Sequence, residues 1–133
     1  MRKLGFKGRC EKRVLSKCKE VCRTYDPIQS AYADRLQADD GILEIQCNVP
    51  LDDREHMTDF VCVMTDGELM VRECVQRKHL LKPMTIRLMD ISRAYWKRHG
   101  VEDWGLVVEL LKKERTAESH FGDEERLYAL KHR

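Results

Sequence analysis

Val14, Cys18, Val21 and Tyr25, with Leu15 and Cys22 beside them, recur at helical spacing and predict a first helix from about residue 8 to near Arg23. Asp26 then offers an N-cap and Pro27 a first-turn residue, and Ile28, Ala31, Tyr32 and Leu36 supply the stripe of a second helix that stops in Asp39-Asp40-Gly41. After Gly41 the period changes to two: Leu43, Ile45, Cys47 and Val49 alternate with Glu44, Gln46 and Asn48, which predicts a strand closed by Pro50. A polar loop, Asp52-Asp53-Arg54-Glu55-His56, leads into two apolar runs, Phe60 to Met64 and Glu68 to Val75. The Thr65-Asp66-Gly67 turn between them predicts a hairpin. Pro83 opens a further helix with the stripe Met84, Leu88, Ile91 and Tyr95 and a stop at Gly100. Trp104 to Glu109 reads as a short strand buried on both faces, and a charged, helical tail follows.

This order of elements predicts an α/β fold, a mixed central sheet with helices against it. A chain of 133 residues with 42% hydrophobic and 36% charged positions suits one compact domain, and there is no repeat or low-complexity linker to divide it. The expected organisation over residues 1–133 is a basic N-terminal helix (1–24), a core (25–109) and a charged tail (110–133). No apolar run approaches the roughly 18 residues that span a bilayer, and the start lacks a signal-like apolar stretch, so a cytoplasmic protein is expected. The six cysteines form no CxxC pair and mostly alternate with aliphatic residues, as small buried hydrophobes do, so reduced thiols are expected. Cys10, Cys18 and Cys22 fall near one face of the first helix; a zinc site needs a fourth ligand, and core packing explains them first.

Charge is distributed unevenly. The formal net charge of +2 conceals nine Lys/Arg against two acids in residues 1–23, ten Asp/Glu against two Arg in 33–68, and eight Lys/Arg against two acids in 69–99. Basic flanks around an acidic middle suit a protein that meets a polyanion and concentrates carboxylates between its contacts, although solvated helix faces give the same pattern.

The hairpin carries two carboxylates, Asp59 and Glu73. A two-residue Asp66-Gly67 loop would make opposed residues sum to 133 and send the pair to different faces. The three-residue loop Thr65-Asp66-Gly67, with Gly67 left-handed, makes them sum to 132, matches Val61 with Val71 and Val63 with Leu69, and sets Asp59 opposite Glu73. Two such carboxylates, about 5 Å apart at Cα, either raise one pKa or hold a cation, and hard oxygen ligands suit Mg²⁺ or Mn²⁺. Otherwise Asp59 ends a strand at solvent and Glu73 pairs with a nearby arginine.

Thr58-Asp59-Phe60-Val61, the turn at Asp66-Gly67, and Met70-Val71-Arg72-Glu73-Cys74-Val75 together resemble the PDF…ExK core of restriction-endonuclease-like nucleases. With the helix carrying Ile28 to Ala33, the Asp39-Asp40-Gly41-Ile42 step, the Leu81-Lys82-Pro83 start of the later helix and the Asp103-Trp104-Gly105-Leu106-Val107 strand, residues 25–109 look most like the N-terminal domain of the TnsA endonucleases. The resemblance implies a restriction-endonuclease-like mixed central sheet flanked by helices. It also implies a Mg²⁺- or Mn²⁺-dependent endonuclease subunit that cuts DNA at a transposon end, beside a transposase subunit and an ATPase regulator. By it, Asp59, Glu73 and the Cys74 carbonyl would be metal ligands. The ExK lysine falls at Val75, leaving Arg77 or Lys78 just beyond as the basic group, and the family's first-helix Glu falls at Gln29. Glu11, on the apolar face of the first helix, is either a substitute for the missing carboxylate or an ordinary acid at a helix N-terminus. Arg77, Lys78, Lys82, Arg87, Arg93, Lys97 and Arg98, with Arg2, Lys3, Lys7, Arg9, Lys12 and Arg13, are the expected phosphate contacts. The alternatives are a catalytically degenerate nuclease fold serving as a DNA-binding or assembly subunit, and a small interaction module with no nucleic-acid partner.

Overall fold

A computed structural model describes residues 2–3, 8–52, 56–109 and 127–131. Asp53, Arg54 and Glu55 of the polar loop, Lys7 of the basic arm, and 110–126 of the tail lie outside them. The elements in chain order are β1 (Arg2–Lys3), β2 (Glu11–Arg13), β3 (Cys22–Thr24), α1 (Pro27–Gln37), β4 (Ile42–Pro50), β5 (His56–Met64), β6 (Leu69–Cys74), α2 (Pro83–Arg98), β7 (Asp103–Glu109) and β8 (Leu127–Lys131). The fold is α/β, with a mixed sheet flanked by α1 and α2.

β4 keeps only part of the expected alternation: Ile45 and Cys47 pack under α1, but Leu43 is exposed beyond a register shift between Ile42 and Glu44, and Val49, past Asn48 at φ 55°, packs in the α2-facing core. β4, β5 and β6 run antiparallel, and Val61 opposes Val71 and Val63 opposes Leu69, the register of the three-residue loop. Met64 and Glu68 close the turn through a 2.9 Å bond, with Gly67 at φ 86°, where a side chain would be strained. From β6 the chain crosses through α2 to β7, which lies parallel to β6. Successive β6 residues serve opposite layers. Met70 and Cys74 join Ile28, Tyr32, Ala33 and Leu36 of α1. Val71 and Val75 join Met89 and Trp96 of α2.

α1 starts as expected: the Asp26 side chain accepts the Gln29 backbone N–H, and Pro27 opens the first turn. α2 begins at Pro83, but its buried line is Met89, Ser92 and Trp96, with Leu88, Ile91 and Tyr95 at its edges and Met84 exposed. The face is thus turned by about one residue from the aliphatic stripe, because the tryptophan at position 96 has the larger surface to bury.

Two expectations are corrected. The basic N-terminal helix over 1–24 does not form: Glu11–Arg13 and Cys22–Thr24 pair as an antiparallel ribbon, and Val14, on the supposed buried face, is 90% exposed. The face of the sheet that such a helix would need is already covered by α1. Cys22 and Thr24 are buried and Arg23 exposed, an alternation of period two that the broader helical spacing masks. The tail is not wholly helical, since Leu127–Lys131 pairs antiparallel with β7 from Gly105↔Lys131 to Glu109↔Leu127. With strands on both sides, β7 is internal, which accounts for its nearly continuous apolar run.

These assignments are separable by stability. Phe60→Ala, at a fully buried position, should lower unfolding free energy by about 3–5 kcal/mol, while Val14→Ala should stay within about 0.5 kcal/mol of wild type. Urea unfolding curves measure both, and a large loss at Val14 would restore the helical reading of the N-terminal segment.

Candidate active site: two carboxylates where β5 and β6 part

The β5–β6 ladder runs from Val63↔Leu69 to Phe60↔Arg72 and stops one pair short of Asp59 and Glu73. There the side chains take over from the backbone. Glu73 Oε1 accepts the Asp59 backbone N–H at 2.8 Å, and Asp59 Oδ2 accepts the Cys74 backbone N–H at 2.7 Å. Each carboxylate therefore satisfies an amide of the opposite strand, which keeps both strands paired while they splay. Both residues have no exposed surface.

The edge of β5 that β6 leaves is filled by β1. Met57 lies between Pro50 of β4 and Arg2 of β1, so β1 runs along the side of β5 that faces β6 further on. This brings the Arg2 guanidinium to 2.9 Å from Asp59 Oδ1 and into a bridge with Asp26, the cap of α1. Gln29 of α1 reaches the same Asp59 oxygen at 3.4 Å and also donates to Asn48 Oδ1 at 3.1 Å. The Gln29 side-chain Oε1 accepts the Tyr25 backbone N–H at 2.9 Å. Asn48 holds its place with a positive φ of 55°, which asparagine tolerates better than most residues, and donates to the Arg23 carbonyl at 2.8 Å.

Glu73 is held from the other side by α2. Ser92 Oγ donates to Glu73 Oε2 at 2.5 Å and accepts from Trp104 Nε1 at 3.0 Å, while Trp96 Nε1 donates to Thr58 Oγ1 at 2.9 Å. Burial first, and then the charge of Asp59, push the Glu73 carboxyl above its ordinary value. Burial and Asp59 likewise drive the Cys74 thiol well up, so its sulfur stays protonated and only its backbone carbonyl is a plausible hard ligand. Two buried carboxylates are hard oxygen donors of the kind a divalent cation takes, and here each of their oxygens accepts a hydrogen bond, with the Arg2 guanidinium as the positive charge on Asp59.

The structure thus brings Asp59, Glu73 and Gln29 together, with the Cys74 backbone beside them. It does not bring Lys78 among them: Lys78 is exposed on a 3-10 turn, Arg77–His79, beyond β6. Arg77 is bound to Glu109, through its backbone N–H to the side chain and its guanidinium to the carbonyl, which ties it to the end of β7. Val75 points into the α2-facing core. Glu11 is not a substitute carboxylate, since it lies on β2 as a largely exposed partner of Arg13. Nor is Glu73 paired with its neighbour Arg72, which is buried against Asp103 at 2.9 Å. Of the expected phosphate contacts, Lys82 and Arg87 are exposed and Arg93 is half-buried, 3.8 Å from Asp90. Tyr95 stacks on His99 with ring centroids 4.2 Å apart, and Trp96 is core.

Sequence reasoning missed the roles of Arg2, Asn48 and Ser92. Ser92 could have been found as the polar residue in the middle of a buried helical line, and Asn48 as a poor strand former inside an alternating strand. Arg2 was expected among the phosphate contacts, and nothing in the sequence marks it as the partner of Asp59. The expectation of reduced thiols is also corrected: Cys22 and Cys47 are disulfide-bonded, with Cα atoms 5.7 Å apart. Cys18 adjoins them, and the three sulfurs lie within 4.8 Å of one another, a second cluster able to hold a metal.

The raised Glu73 carboxyl has a signed consequence. The folded chain keeps that proton at pH values where the unfolded chain has lost it, so stability falls as pH rises from the ordinary 4.5 through the folded value. In chelator-treated protein Glu73→Gln should flatten this decline, seen as urea midpoints between pH 4 and 8. An unchanged slope would mean that Glu73 is ionised throughout.

Among the described residues no helix is long and apolar enough to cross a membrane. No protein-family model matches the chain, and no curated protein matches it in sequence, so the chemistry of the site rests on its own geometry.

Proposed function

We propose that the chain is a metal-dependent DNA endonuclease subunit, similar to the TnsA endonucleases and working at a transposon end with a transposase partner and an ATPase regulator. The observation that carries this is the pair Asp59 and Glu73, fully buried and side by side where β5 and β6 part. The order helix, three antiparallel strands, helix, parallel strand from α1 to β7 also suits the restriction-endonuclease-like reading of the sequence.

On this reading Asp59, Glu73 and the Cys74 carbonyl hold Mg²⁺ or Mn²⁺, with Gln29 as a neutral neighbour. When bound, the ion supplies an activated water and charge stabilisation for hydrolysis of a phosphodiester to a phosphate monoester and an alcohol. The protein's part is to fix the ligands in advance. The Asp59 and Cys74 amides, Gln29 and Ser92 each hold one carboxylate oxygen, so little reorganisation remains when a cation arrives. Arg2, bonded to Asp59 and Asp26 with its side chain 14% exposed, would supply the positive charge that Val75 lacks. The exposed Lys78, Lys82 and Arg87 then serve as sequence-independent phosphate contacts.

The test is calorimetric titration of Mn²⁺, because metal binding needs no partner subunit. Wild type should take up one ion at this site, and Asp59→Asn/Glu73→Gln should not. Absence of binding in wild type would remove the nuclease reading and leave the DNA-binding or assembly subunit. That alternative predicts DNA affinity that falls with salt, with a log–log slope reduced by about 0.9 for each phosphate contact removed at Lys78, Lys82 or Arg87.

A further inference from the structure

The second cluster is made of residues that the carboxylate site does not use, although Cys47 pairs with Phe60, next to Asp59. Cys18 ends a turn closed by its own N–H to the Leu15 carbonyl at 3.0 Å, Cys22 opens β3, and Cys47 lies in β4. The Ile45 N–H donates to the Lys17 carbonyl at 2.9 Å, which docks this turn onto β4 and sets Cys18 beside the other two. A disulfide between Cys22 and Cys47 needs no third sulfur. Yet Cys18 Sγ lies within 4.8 Å of both, as a free thiol. Zn–S bonds of ~2.3 Å place tetrahedral sulfurs about 3.8 Å apart, so three ligands of that geometry fit the spacing with small side-chain adjustments.

There is room for a fourth ligand. A cleft of about 350 Å³ opens beside the cluster, lined by Cys18, Cys47 and Glu44 among others. It admits a water, and the Glu44 carboxylate stands at its wall. Three thiolates and a carboxylate around one dication leave excess negative charge, and Lys19 Nζ is 3.7 Å from Glu44 to offset part of it.

We propose that in the reduced chain Cys18, Cys22 and Cys47 bind one Zn²⁺, with Glu44 or a water as fourth ligand, fastening the segment before β3 to β4. Soft thiolates select Zn²⁺ here, whereas the oxygen ligands of Asp59 and Glu73 select Mg²⁺ or Mn²⁺, so the two sites discriminate by ligand chemistry. Binding releases three protons, one from each thiol. The disulfide and the zinc site exclude one another, since the bond uses two of the three ligands. Passage from the first to the second needs a dithiol reductant, which gives its two electrons and two protons to the Cys22–Cys47 bond and itself becomes a disulfide.

The experiment uses the full chain, reduced with excess dithiothreitol, freed of metal and reductant under anaerobic conditions, and titrated with Zn²⁺ against a chromophoric chelator. Co²⁺ in place of Zn²⁺ reports thiolate ligation by its charge-transfer absorbance. Wild type should bind one equivalent with the thiolate signature. Cys18→Ser, which leaves the Cys22–Cys47 pair and its buried contacts intact, should weaken binding by about 100-fold. Glu44→Gln separates carboxylate from water ligation: a loss of about 10-fold assigns Glu44, and an unchanged affinity assigns water, both within the proposal. The Asp59→Asn/Glu73→Gln variant should keep full Zn²⁺ affinity, so failure of the carboxylate site leaves this result untouched. Zinc affinity unaltered in Cys18→Ser, no thiolate absorbance with Co²⁺, or no binding by the reduced wild type would each overturn the proposal and leave a structural disulfide with an adjacent thiol.

Discussion

Two carboxylates buried next to one another are the most expensive feature of this chain, and the surrounding structure is arranged around them. A buried ionised carboxyl loses several kcal/mol of hydration unless hydrogen bonds and opposite charge replace it. Here the replacement comes from all layers at once: the backbone of both parting strands, Gln29 from α1, Ser92 from α2 and Arg2 from the added edge strand. The splay of β5 from β6 is what permits this, because a continued ladder would have used the Asp59 and Cys74 amides in backbone pairs. A local break in a sheet is thus converted into a hydrogen-bonded enclosure for two carboxylates.

The same constraint explains features that packing alone does not. Ser92 sits fully buried in the middle of the α2 interface, where an aliphatic residue would fill space better, because Glu73 needs a donor and Trp104 an acceptor. Trp96 turns α2 by a residue and donates to Thr58, the residue before Asp59. Asp26 caps α1 and also meets Arg2, so the start of the helix that carries Gln29 and the cation beside Asp59 are braced together. Arg72 and Asp103, meanwhile, neutralise one another on the β6–β7 pair and leave Glu73 to other partners.

Much of this was legible in the sequence where a short-range rule decides it. The existence of β4, the Asp26-Pro27 start of α1, the Gly67 turn and the hairpin register all follow from local chemistry, and the register alone placed Asp59 across from Glu73. The long-range features were not legible. Val14, Cys18 and Val21 mimic a helical stripe, but nothing in the segment says that α1 already covers the sheet there, or that Cys22 meets Cys47 from 25 residues away. Lys78 looked able to reach back from the end of β6, whereas the strand end is pinned by Arg77 to Glu109 and points Lys78 outward. Arg2 contributes through a two-residue strand too short to leave any period.

The proposed site places a divalent ion between Asp59 and Glu73, and its location is measurable directly. Substoichiometric Mn²⁺ added to ¹⁵N-labelled protein broadens amide signals by proximity, so the Asp59 and Cys74 amides should fade first, and should persist at the same Mn²⁺ ratio in Asp59→Asn. Sharp Asp59 and Cys74 signals beside broadening confined to exposed acids such as Asp39, Asp40 and Glu68 would contradict the account and reduce the buried pair to an internal brace.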